Sequence, residues 1–124
     1  MTVSELKDRI MYQTGNDGED VTDHLPWVLE YMNQGYDRML IAHAKKHVGD
    51  EGYPMLSDDS DEPKLPAWVH YALADFATWC IYRNGNVQRQ QRGMRYLASF
   101  EEALTDLRYD PASTKANNFF NIPN

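Results

Sequence analysis

A chain of 124 residues is long enough for one domain with a real core and too short to divide comfortably into two. An apolar share of 42 % with 12 % aromatics excludes the composition of a disordered chain, and no apolar run approaches the roughly 20 residues of a bilayer-crossing helix. A formal charge of −7, from 12 basic and 19 acidic residues, disfavours simple electrostatic capture of a nucleic-acid backbone, and the single cysteine, Cys80, cannot form an internal disulfide.

Thr2 followed by Glu5 is a capping-box pattern, and Val3, Leu6 and Ile10 repeat at helical spacing, which predicts a short first helix to about Tyr12. The start has neither the basic residues nor the apolar stretch of a signal peptide, so a soluble intracellular product is expected. Gly15 to Asp23 reads as a loop ending in a cap. A second helix follows with Pro26 in its first turn. Its stripe is Leu25, Val28, Met32, Gly35, Met39 and Ala42, broadened by Trp27, Tyr31, Tyr36 and Leu40. It is predicted to run to about His47, with Gly49 as its stop.

Gly49 to Pro66 is a long connection with two glycines, three prolines and an acidic run. A stretch of that length in a small domain is expected to be functional or disordered, with Tyr53, Met55 and Leu56 available to tether it. A third helix opens near Pro66, carries Val69, Ala72 or Leu73, Phe76, Trp79 and Cys80 on its buried side, and is capped by Asn84-Gly85. The fourth runs from about Val87 to Tyr109 with Met94, Leu97, Phe100, Leu104 and Leu107 inward, antiparallel to the third. Residues 111–124 read as an extended arm whose apolar side chains are Phe119, Phe120 and Ile122. No stretch alternates as a strand would, so the expected fold is an all-α bundle of about four helices, residues 1–110, followed by that arm. Leu25-Pro26-Trp27-Val28 and Leu65-Pro66-Ala67-Trp68-Val69 echo each other, which shared helix-start chemistry explains.

The charge is unevenly placed. Asp50, Glu51, Asp58, Asp59, Asp61 and Glu62 form an acidic stretch without a base, whereas Arg83, Arg89, Arg92 and Arg95 occupy a stretch without an acid. Arg89, Arg92 and Arg95 recur every three residues and make a ridge on the fourth helix. A molecule carrying a six-acid loop and an arginine ridge can satisfy both by head-to-tail association with its own copies, a contact that closes into a ring. Asp58, Asp59, Asp61 and Glu62 facing Arg89, Arg92 and Arg95 of a neighbour is therefore the expected subunit interface, while a solvated basic face is the plain alternative.

Catalysis has no candidate: a nucleophile elbow, a phosphate-binding glycine loop, a paired-cysteine site and a dinucleotide fingerprint are all missing from the sequence. His43 and His47 stand one helical turn apart, but Ala44 sits where a zinc-protease motif carries glutamate and no third ligand is placed. The acidic loop has Pro63 where a calcium hand needs glycine. Neither cofactor nor metal is expected, and Cys80 reads as a buried, inert thiol.

Further residues form a composite pattern. Leu25-Pro26-Trp27 opens a helix containing Tyr31-x-Asn33-x-Gly35-Tyr36-Asp37-Arg38. Leu65-Pro66 opens one ending Tyr82-Arg83-Asn84-Gly85, and Arg95-Tyr96 precedes Phe100-Glu101-Glu102-Ala103. This order, up to about Tyr109, resembles the head-to-tail connector adaptors of long-tailed bacteriophages and prophages. The resemblance implies a helical protomer of the virion, made in the bacterial host cytoplasm. It further implies a ring, typically of twelve copies, beneath the portal protein, which extends the DNA channel without sequence-specific binding and docks a tail-side stopper or tail completion protein. On that reading Phe119, Phe120 and Ile122 would anchor the arm on an adjacent subunit or on the portal. The competing expectations are a packaging protein that grips duplex DNA with Arg83, Arg89, Arg92 and Arg95, and a metal-dependent enzyme built on His43, His47 and the acidic loop.

Overall fold

The computed structural model describes residues 1–15 and 23–109. Among them the chain is all-helical, with α1 Val3–Thr14, α2 Val28–Ala44, α3 Tyr71–Tyr82 and α4 Val87–Arg108, and no strand. The expected small helical bundle is present. The arm with Phe119, Phe120 and Ile122 lies outside the described residues.

α3 is the axis of the bundle and packs against each of the other three helices. Its sequence leaves little choice, because Ala72 to Thr78 and Cys80 to Tyr82 are all buried, and a helix apolar on nearly every side must be surrounded. α1 lies parallel to α3: Met1 reaches His70 before α3, and Tyr82 at its end donates to the Thr14 carbonyl at 3.4 Å. α4 runs antiparallel, with Tyr82 stacked on Tyr96 and Phe76 against Phe100, ring centroids 6.3 and 4.8 Å apart. Gly93 permits this approach, since a Cβ there would sit 2.9 Å from the Cβ of Tyr82.

Thr2 and Glu5 form the predicted capping box, and α1 continues to Thr14 before Gly15 at φ 56° ends it. Pro26 belongs to a 3₁₀ turn, Leu25–Trp27, and not to the first α-turn; a second such turn, Ala67–Val69, precedes α3. The echoed Leu-Pro segments thus perform the same local job. Trp27, expected on the buried stripe, is 54 % exposed because the 3₁₀ turn rotates it away from α3.

α2 stops at Ala44, three residues short of the expected His47. Lys45 adopts the left-handed conformation at φ 55°, and the following chain is captured by Asp37, whose carboxylate accepts the Val48 N–H at 2.9 Å. Gly49, at φ 97°, lies in the turn beyond. Nor does Asn84-Gly85 cap α3. Arg83 holds the cap position, while Asn86 accepts the Arg89 N–H at 2.9 Å and starts α4. The inward face of α4 is Gly93, Phe100, Ala103 and Leu107; Met94, expected there, is 56 % exposed because the tight contact with α3 centres on Gly93.

Candidate subunit interface

The acidic loop is a built structure anchored by one face of α2. Asn33 grips the backbone of Leu56 twice, donating to its carbonyl and accepting from its N–H at 2.9 Å each. The Tyr36 hydroxyl accepts the Lys64 N–H at 2.8 Å. Asp37 holds Val48 and approaches the His47 imidazole at 3.1 Å. Asn33, Tyr36 and Asp37 recur at helical spacing, so the polar run that carried the family resemblance is here the set of loop anchors. Leu56 is buried as foreseen and Tyr53 half-buried, but Met55 is 61 % exposed and tethers nothing.

The loop then caps α1. The carbonyls of Asp61 and Asp59 accept the N–H groups of Val3 and Ser4 at 2.8 and 3.0 Å, satisfying donors that a helix start leaves without intrahelical partners. The Asp61 carboxylate closes its own turn by accepting from the Ser57 and Asp58 N–H groups at 2.9 and 3.0 Å, and these bonds hold its pKa below the ordinary carboxylate range. Asp59 pairs with Lys7 at 2.9 Å, and Glu62 lies 3.5 Å from the Met1 amino nitrogen. The carboxylates of three of the four acids assigned to the interface thus have contacts within the chain. Asp58 is exposed, and the carboxylates of Asp59 and Glu62 remain more than half exposed.

The arginines stand at the other end. Arg83 follows the last turn of α3, and Arg89, Arg92 and Arg95 line the first half of α4. Two are ordered by rings, with Arg83 over Trp79 at 5.1 Å and Arg95 over Tyr96 at 5.2 Å. Stacking engages the guanidinium face and leaves its in-plane N–H edge suited to carboxylates. Arg89 is half-buried and Arg92 exposed, and both interact with other groups of the chain. Twelve residues of α3, about 18 Å of helix, separate this cluster from the acidic loop. The acidic loop therefore lies where α1 and α3 begin, and the arginine cluster where α3 ends and α4 begins.

The groups considered for chemistry are placed differently. His43 borders a shallow surface depression with Tyr53 and Lys64, whereas His47 pairs with Asp37. Among the described residues no group of three or more His, Cys, Asp or Glu is arranged to hold a metal ion. Burial raises the Cys80 thiol to about 11, so it is protonated at neutral pH and a poor nucleophile.

Sequence reasoning missed a buried polar cluster. The Asp75 carboxylate, 3 % exposed on α3, accepts from Gln13 Nε2 on α1 and Ser99 Oγ on α4, both at 2.7 Å, and Thr78 donates to Gln13 Oε1 at 2.6 Å. Asp75 as the one acid within the otherwise apolar run Ala72 to Ala77 was the available signal. The residues facing it come from helices whose relative placement periodicity alone does not give.

Comparison with protein families, with curated proteins and with solved structures finds no match to this chain. Among the described residues no helix is long and apolar enough to cross a membrane.

Proposed function

We propose that this chain is a structural head-to-tail connector adaptor of a long-tailed phage or prophage, forming a ring on the portal that extends the DNA channel and docks the next tail-side component. The observation that carries this reading is the separation of two clusters, with Asp58, Asp59 and Glu62 beside the starts of α1 and α3 and Arg83, Arg92 and Arg95 at the end of α3 and on the first half of α4. Copies related head to tail bring opposite charges together, and such heterologous contacts close into rings when the rotation between neighbours permits. The residues that resemble the connector family support it further, because Asn33, Tyr36 and Asp37 hold the acidic loop in place. A protomer of net charge −7 also suits a conduit, since a lumen that bound phosphates tightly would retard passing DNA.

Electron microscopy of the purified chain mixed with portal rings tests the reading. The expected image is a second ring of density stacked on the portal; a chain that leaves the portals bare contradicts it. The arginine cluster also suits a DNA-packaging protein gripping the duplex through Arg83, Arg89, Arg92 and Arg95. A gel shift at low and moderate salt separates the two readings, because a phosphate binder shifts duplex DNA and loses affinity steeply with salt, whereas the adaptor leaves it free.

A further inference from the structure

Asn84-Gly85 is not needed as a cap, since Arg83 holds that position on α3 and Asn86 starts α4. It is also the one place in the sequence where asparagine precedes glycine. Asn84 is exposed, and among the described residues its amide makes no hydrogen bond. Glycine is required beside it, because a Cβ on residue 85 would lie 2.9 Å from the Cβ and Cδ of Arg89 in the first turns of α4. The packing of α4 thus leaves the backbone nitrogen after Asn84 without the side-chain bulk that would shield it.

The other described asparagines are held in place. Asn33 donates to the carbonyls of Leu29 and Leu56 and accepts the Leu56 N–H. Asn86 accepts the Arg89 N–H at 2.9 Å and precedes Val87, whose β-branched side chain crowds the following nitrogen.

We propose that Asn84 is a site of self-modification, deamidated through attack by the Gly85 backbone nitrogen. That nitrogen gives its proton to a solvent base and bonds to Cγ of Asn84; the Cγ–Nδ2 bond breaks, and Nδ2 takes a proton from water and leaves as ammonia. Water then opens the cyclic imide. Breaking the new N–Cγ bond gives aspartate, whereas breaking the bond from that nitrogen to the Asn84 carbonyl carbon gives isoaspartate, with the backbone routed through the former side chain. No oxidant or reductant takes part. Either product adds a carboxylate beside Arg83 and near Arg89, in a chain whose net charge is already −7. The modification does not depend on the ring reading.

The turn sets the rate. The Gly85 N–H donates to the Tyr82 carbonyl at 3.0 Å, and Gln90 Nε2 donates to the Gly85 carbonyl at 2.9 Å, so the nitrogen reaches Cγ only when this exposed turn opens. Two hydrogen bonds of ordinary net strength slow the reaction roughly five- to a hundredfold relative to the open chain.

The test incubates the full-length chain at mildly alkaline pH, folded and in guanidinium, and follows its peptides by mass spectrometry, with isoaspartyl methyltransferase labelling to mark the iso product. In the folded chain residue 84 is expected to convert at a rate within roughly a hundredfold of that in guanidinium, and faster as pH rises. Asn33 and Asn86 should stay unchanged over the same period, as should residue 84 in N84Q, whose longer side chain closes the ring poorly. An Asn84 that persists in the folded chain for more than roughly a hundred of the unfolded half-lives overturns the proposal. Conversion of Asn33 or Asn86 at the same rate overturns the assignment to the free amide, and equal conversion in N84Q overturns the attack by Gly85.

Discussion

The Lys7 ammonium lies 2.9 Å from the Asp59 carboxylate, fastening the acidic turn to the first helix whose N-terminus the same turn caps. Both side chains are largely exposed, at 42 % and 68 %, and an exposed pair of this kind contributes only about 0–1 kcal/mol. Asp59→Ala is therefore expected to lower stability by less than about 1 kcal/mol in denaturant melts. The backbone carbonyls that cap α1 survive the substitution. A loss several times larger would mean that the carboxylate itself holds the turn.

Asn33 is a stronger anchor, because its amide satisfies both backbone groups of the buried residue Leu56. Asn33→Ala leaves those groups without their partner at a cost of roughly 1–3 kcal/mol. Faster amide exchange should appear at Leu56 and along the acidic loop while the α3–α4 contact keeps its protection. Uniform loss of protection across the chain would show instead that the loop does not open separately.

Asp75 joins three helices through neutral donors, Gln13 and Ser99. Asp75→Ala removes the acceptor shared by those donors and opens a void beside α3, so a loss of roughly 2–4 kcal/mol is expected. Gln13→Ala and Ser99→Ala should each cost less, and a double-mutant cycle between them should reveal coupling through Asp75. Strict additivity would contradict a shared network.

His70 supplies the pH dependence. It is 4 % exposed, and its Nε2 lies 2.8 Å from the Leu65 carbonyl, an acceptor only, so that nitrogen carries the proton and Nδ1 accepts from the Met1 amino nitrogen at 2.7 Å. Burial lowers its pKa below the ordinary value of 6.5, and the positive Met1 amine acts in the same direction. A histidine depressed in the folded state favours folding above its unfolded pKa, and this contribution is lost as pH falls from about 6.5 through the folded value. Melting temperature should therefore fall between pH 7 and pH 5, and His70→Gln should flatten that slope. An unchanged slope in the variant would assign the effect elsewhere.

The four helices were legible because their apolar residues recur at helical spacing and their breaks fall at glycine, proline and capping residues. Thr2 and Glu5 identified the start of α1 from chemistry confined to one turn. Boundaries failed where a distant side chain intervened: α2 ends early because Asp37 reaches forward to Val48. On α4 Phe100 and Leu107 were read correctly as inward, but Met94 stood in for Gly93, because apolarity marks a buried face but not a close backbone approach. The acidic and basic stretches were readable as composition. Their separation to opposite ends was not, since it depends on α1 lying parallel to α3 and α4 antiparallel to it.

That separation is the centre of the account, and a charge exchange between the two ends tests it most directly. Two full-length variants are assembled on portal rings and imaged, D58K/D59K, which puts lysines where the acidic loop meets the arginines, and R92E/R95E, which puts carboxylates where the arginine ridge meets the loop. Each alone should leave the portals bare through like-charge contacts while melting within a few degrees of the wild-type chain. The equimolar mixture should restore the ring with the two variants alternating. Rings formed as well by either variant alone as by the wild-type chain would contradict the head-to-tail contact between the acidic loop and the arginine ridge.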